Sequence, residues 1–296
     1  MKLFRRSRLI LLVLSLPACE RAKPPAAKDS VRVPAVAVES ASVVAPVIAW
    51  DSSAGPVLLI ATDTPTRAFV LVPDSAKTSA GLAGIPHPAS VTLFGRNGSV
   101  QTAELPEVTD SGACFMATLS AAPPPRSWNV GFIGGVVSPV ALDSIVSLPR
   151  SDSLALTTNM IRLASALPND SAGRFNGLPF VVRALWRFKV PQGPEVVIGT
   201  LARQINQEAT PLQERTFLVA ERSATDSTLT TAYSERSYGD EETVENREVL
   251  GAVVLGGRNA ALILSRDFGD ETAYSLVERG DDGRWHARWK SPRRRC

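Results

Sequence analysis

The chain has 296 residues, 44% apolar and 21% charged, with 20 Gly, 22 Pro and three Cys. That is enough for one large or two small domains with real cores, and it excludes a disordered, a collagen-like or a disulfide-dense chain. The formal charge of +3 comes from 32 Lys+Arg against 29 Asp+Glu, and Lys2, Arg5, Arg6 and Arg8 supply four of those positives; without them 28 basic residues face 29 acidic ones, a net of −1. A nucleic-acid partner argued from global charge loses its basis.

Residues 1–8 form a basic segment, and Leu9 to Leu16 is an eight-residue apolar run. Such a run rises about 12 Å as a helix, far short of a hydrocarbon core of about 30 Å. It reads as the h-region of a signal peptide covering residues 1–18. Leu16-Pro17-Ala18-Cys19 follows at once. This resembles the lipobox of bacterial lipoproteins, with Pro17 departing from the small or branched residues commoner at its place. Cys19 matches the residue that those proteins lipidate and leave as the new N-terminus. The resemblance implies several acyl chains, palmitate among them, on Cys19. Stable attachment takes more than one chain. It also implies a location in the cell envelope, facing the periplasm or the exterior, with the membrane as a partner through that lipid.

Residues 19–48 are rich in Ala, Pro and Val and lack aromatics. They read as an extended tether, with Val43-Val44 to Val47-Ile48 an alternative first strand. Over residues 49–148 the pattern is β. Val57 to Ile60, Phe69 to Val72, Val91 to Phe94, Ser99 to Glu104, Cys114 to Leu119, Trp128 to Ile133 and Val136 to Leu142 are short runs separated by Pro and Gly turns. Asn97-Gly98 is a hairpin signal. A sandwich or small barrel follows. Residues 149–177 hold an amphipathic connector helix. Leu156, Met160, Ile161, Ala164 and Leu167 recur at helical spacing, Asp152 or Ser153 is the expected N-cap, and Leu167-Pro168 ends it.

Residues 178–296 read as an antiparallel meander sheet of eight strands, near 180–190, 195–202, 217–221, 229–235, 249–255, 261–265, 273–278 and 284–290. Phe180, Val182, Ala184, Trp186, Phe188 and Val190 alternate along the first and predict one apolar face. The fold class is therefore mainly β, two β-rich domains joined by one amphipathic helix. Three strands end alike, in Glu221-Arg222, Glu235-Arg236 and Glu278-Arg279. Their spacing is irregular, so they are convergent strand ends and not a repeat.

The last hairpin carries the sharpest pattern. With Asp281-Asp282 as a two-residue loop, Tyr274 stands opposite Trp289 and Leu276 opposite Ala287, placing Trp285, Ala287 and Trp289 on one face. Arg284, His286, Arg288 and Lys290 then share the other face, and Arg293, Arg294 and Arg295 extend it. Such a face offers a site for an anionic envelope component or an acidic protein; its alternative is a solvated face neutralised by nearby Asp and Glu. Asp240-Glu241-Glu242 and Asp267 to Glu271 are acidic but lack the EF-hand spacing and read as turns, so no metal or other cofactor is assigned. Cys114 and Cys296 remain for a disulfide that an envelope location permits. The two histidines, His87 and His286, sit in no recognisable catalytic motif, and no catalytic residue is assigned. The leading function is a lipid-anchored binding or scaffolding module. An extracytoplasmic hydrolase acting on glycan or peptide, and a purely structural envelope lipoprotein, are the alternatives. Cys19→Ala is expected to abolish incorporation of labelled fatty acid; persistent label overturns the lipobox reading.

Overall fold

The sheets are built outward from strands that are apolar on both sides. In a computed structural model, described over residues 50, 52–73, 85, 87–112, 114–168, 173–206, 211–222 and 228–296, the described residues are mainly β, 54% strand and 10% helical. The leader, Cys19 and the tether lie outside the described residues. Residues Pro46–Cys296 form one compact unit.

Seven strands make the first sheet: β1 (Val57–Ala61), β2 (Arg67–Leu71), β3 (Ala89–Phe94), β4 (Val100–Leu105), β5 (Val108–Asp110), β6 (Phe115–Thr118) and β7 (Val130–Ile133). Their order is β4-β3-β7-β1-β2-β6-β5. The sheet curls until Glu104, at one edge, exchanges both backbone hydrogen bonds with Ser120, just beyond β6. It encloses its own core around Leu59, Leu93, Leu105 and Trp128.

β8 (Val137–Val140) and β9 (Asp143–Ser144) lead from it into two further sheets, and the helix α1 (Arg150–Ala166) follows. β10 (Val181–Lys189), β11 (Glu195–Ile205), β12 (Leu212–Arg222) and β13 (Thr230–Asp240) form an antiparallel meander edged by β9. β14 (Asn246–Leu255), β15 (Asn259–Phe268), β16 (Glu271–Arg279) and β17 (Trp285–Lys290) form a second, edged by β8. The eight expected C-terminal strands are thus two meanders, and the chain changes sheet at the turn after β13.

These two sheets pack face to face around Phe188, Ile198, Phe217, Val219, Leu262 and Trp285. The outer face of the β14–β17 sheet packs on the seven-stranded sheet through Ile263, Leu276 and Trp289 against Leu58, Ile60 and Phe132. The outer face of the β10–β13 sheet packs on α1 through Val197, Leu201 and Leu218 against Leu156, Met160 and Leu163. The central strands are therefore buried on both faces, which is why Ala260 to Leu264 and Val196 to Ile198 are unbroken apolar runs. Gly199 lets the helix approach closely, since a Cβ there would lie 3.0 Å from the Met160 methyl carbon.

Three local expectations are corrected. Pro149, not Asp152 or Ser153, occupies the helix N-cap, and the Ser153 hydroxyl donates instead to the Ile145 carbonyl. Arg183 is an extra, bulged residue in β10, so Val182 packs toward α1 while Trp186 and Phe188 face the other sheet. The last hairpin turns through Asp281-Asp282-Gly283, a three-residue loop with Gly283 at φ 74°, the conformation glycine adopts freely. Arg279 consequently faces Trp285, and a second bulge at Arg288 sets Leu276 opposite Trp289. The bulge turns Trp285 and Trp289 to opposite faces of the sheet, so neither the single aromatic face nor the single basic face forms.

Phe217, 1% exposed between the two meanders, is expected to cost about 3–5 kcal/mol on truncation to Ala. Exposed Val146→Ala should stay within about 0.5 kcal/mol of wild type in the same urea titration.

Candidate functional site

The same alternation that fills the inter-sheet core places charge at its open end. Along β12 the inward positions run Val219, Phe217, Arg215, Gln213; along β15 they run Leu262, Leu264, Arg266. Where the apolar residues stop, Glu235, Glu245, Arg247 and Arg266 occupy the interior. Buried charges persist only when paired and hydrogen-bonded. Arg247 Nε lies 3.0 Å from Glu235 Oε2 and 2.8 Å from Glu245 Oε1. Arg266 forks onto both oxygens of Glu245. Glu235 also accepts hydrogen bonds from the Tyr233 hydroxyl and from Lys290 Nζ, each at 2.8 Å.

Burial alone would raise the Glu235 carboxyl. Arg247, Lys290 and Arg266 outweigh it and bring the group down from 4.5 to about 2. Burial, then the adjacent Glu235, raises the Tyr233 phenol. Burial lowers Arg247, partly offset by Glu235 and Glu245. At neutral pH Glu235 is fixed as an anion and Tyr233 as a neutral donor. The cluster is a clasp between the two sheets.

Three further clusters surround it. On the helix side, Arg203 pairs with Glu214 at 2.9 Å. Arg236 donates to the carbonyls of Ala164, Leu167 and Pro168, a cation at the negative end of α1. Glu221 accepts from Arg279 and from the Trp285 indole, both at 2.7 Å. Glu278 accepts from Asn259 and Arg288.

The sequence-predicted basic residues are dispersed among these partners. His286 meets Asp282 at 3.2 Å, Arg288 meets Glu278 at 3.0 Å, and Lys290 meets Glu235. Arg295 pairs with Asp270, the Arg293 guanidinium stacks 3.6 Å from the Phe268 ring centroid, and Arg294 bridges Thr272 through its backbone. Arg284 is exposed at the hairpin tip. Cys114 and Cys296 are joined by a disulfide, with Cα atoms 5.8 Å apart. That bond ties the tail to the segment just before β6. His87 is exposed in a loop. Among the described residues no group of three His, Cys, Asp or Glu side chains is arranged to hold a metal ion.

Two concavities flank the clasp and share Glu245. The outer groove, about 820 Å³, lies between β13, the turn after it, the β15–β16 turn and the tail, with Tyr238, Phe268 and Arg293 beside Glu242, Asp270 and Glu271. Tyr238 is 67% exposed there. The inner cleft, about 340 Å³, opens between the two meanders beside Arg183, Thr200, Gln213, Arg215 and Arg247. Sequence reasoning missed Glu245, Arg247 and Arg266. The signal lay in the recurring Glu-Arg strand ends: Glu221, Glu235 and Glu278 each accept a guanidinium from another strand. Compared with family models, curated proteins and solved structures, the chain matches none.

A carboxyl held low in the folded chain contributes stability that is complete above about pH 4.5 and is lost as pH falls toward 2. For Glu235 this contribution is on the order of 3 kcal/mol. Glu235→Gln should be less stable at pH 7 and lose less stability between pH 4.5 and 2 in urea titrations. An acid limb identical to wild type would sink the clasp.

Proposed function

We propose that the chain is a lipid-anchored protein of the bacterial cell envelope, working as a binding or scaffolding module. Acyl chains on Cys19 hold it to the membrane, residues 19–48 space it outward, and the β-rich body faces the periplasm or exterior. The observation that carries the binding role is the outer groove, about 820 Å³. Its walls are pinned before any partner arrives. The clasp fixes one side through Glu245. The tail, bonded to Cys114 and pairing Arg294 with Thr272, fixes the other. A surface ordered in advance loses less entropy when it binds. Exposed Tyr238 supplies the kind of amphipathic, rigid contact that dominates binding energy.

The test is a photo-crosslinking residue placed at Tyr238 and, separately, at Val100, which is exposed on the seven-stranded sheet. In native envelopes a discrete adduct from position 238 alone is expected. Identical products from both positions, or none from 238, would overturn the assignment of the groove.

A further inference from the structure

Arg183 and Arg215 stand at the mouth of the inner cleft, on β10 and β12. Most arginines around this end of the sandwich are held by carboxylates, but these two form no ion pair with any described carboxylate. Glu245, which also lines the cleft, is taken by Arg247 and Arg266. Glu241 attracts Arg215 from the exposed rim without pairing with it. Among the described residues the Arg215 guanidinium donates to Gln213 Oε1, at 3.2 and 3.3 Å from two of its nitrogens.

The two cations are brought together by the backbone. Arg183 is the extra residue of the β10 bulge, and bulges re-aim side chains. Thr200 and Ala202 are their neighbours on the intervening strand, too small to separate two long side chains. The closeness has an electrostatic consequence: burial, then the Arg183 charge, lowers the Arg215 guanidinium below its usual value. Like charges held together beside a cleft disfavour the empty state and favour an anion between them.

We propose that the inner cleft binds a phosphate-type oxyanion, either free or as the headgroup of a phospholipid, between Arg183 and Arg215. Thr200, Gln213 and Asn246 supply neutral hydrogen-bonding groups around it. A phosphate monoester carries about −1.5 to −2 at pH 7, which matches two unpaired guanidiniums. The planar guanidinium forks favour two-oxygen contacts on such a group. The cleft, about 340 Å³, lies within the range of small-molecule sites. This inference goes beyond the outer groove and does not depend on it.

The experiment titrates the full chain in detergent at pH 7 with inorganic phosphate and, separately, with soluble dihexanoyl phosphatidic acid, read by calorimetry. Saturable binding of at least one probe is expected. Tighter binding of phosphate identifies a free ligand, and tighter binding of the lipid analogue identifies a headgroup. Arg183→Gln and Arg215→Gln should each weaken binding by about tenfold or more, and the double variant should lose it. Exposed Arg284→Gln should leave it unchanged. Glu241→Gln, which removes a competing negative charge, should tighten it, and this gain guards against loss through misfolding. Urea midpoints of the two arginine variants should equal or exceed wild type, because each relieves a like-charge contact. Absence of binding for both probes, or binding retained by the double variant, overturns the proposal. Either result leaves the crosslink at position 238 unaffected, so the two readings fail separately.

Discussion

The β14–β17 sheet is buried on both faces, and the rest of the molecule is arranged around that constraint. Its inner side must be covered by the β10–β13 meander and its outer side by the curled seven-stranded sheet. A strand apolar on both sides cannot be left half-covered without exposing a large hydrophobic surface. The β10–β13 meander inherits the same demand and meets it with α1. β8 and β9 follow from this layering. They leave the curled sheet and add one short edge to each meander, so the chain passes between layers without a long connection. Trp289 shows the coupling at a single residue: its ring packs edge-on against Trp50, its indole donates to the Pro73 carbonyl, and its strand belongs to the neighbouring sheet.

Alternation also explains where the charge goes. A strand longer than the core still sends every second side chain inward, whatever that side chain is. β12 and β13 each run for 11 residues, and their inward positions beyond the apolar core carry Gln213, Arg215 and Glu235. Solvation is reduced there, most of all around Glu235, which is buried more deeply than Arg215 and needs partners from the facing sheet. Glu235 therefore collects Arg247 and Lys290 from two strands of the other meander. Such a network joins elements distant in sequence. Hydrophobic residues of similar volume could stabilise the end equally well, but they would not fix which strand lies over which. The pairing is directional, and it holds the two meanders in register.

The sequence made the β class, the strand positions and the helix legible because hydrophobic periodicity is a local signal. It did not make the faces legible wherever a bulge intervened. Arg183, Leu250 and Arg288 are each extra residues against a neighbouring strand, and each reverses the alternation beyond it. A composition pattern cannot reveal a bulge, because the bulge is decided by what both faces must contact. The hairpin illustrates this. Pairing tryptophan with tyrosine is attractive within one hairpin, yet Trp285 and Trp289 are wanted by two different cores. The Glu-Arg strand ends were visible as a pattern, while their meaning, an acceptor for an arginine on another strand, required the tertiary structure. Strands β5 and β9 were missed for a simpler reason: at three and two residues they are too short to show a period.

The basic C-terminal strand and the Arg183–Arg215 pair show why the placement of charge outranks its count. By sequence the tail is the most cationic stretch of the chain. In the fold its cations meet Glu278, Glu235 and Asp270, one stacks on Phe268, and the His286 ring lies against Asp282. An anionic ligand there would have to displace carboxylates already in place, one of them, Glu278, only 1% exposed. Removing the cation from such a carboxylate leaves a buried charge without its partner, which costs several kcal/mol. Arg183 and Arg215 are two cations against the six Lys and Arg of residues 284–295, and neither belongs to a basic run. Their charges repel one another and neither is ion-paired with a described carboxylate, so an incoming anion relieves an unfavourable contact without breaking an ion pair. Affinity for an anion follows from that difference between the occupied and the empty site. By that measure the bulge in β10 contributes more to recognition than the three consecutive arginines at the end of the chain.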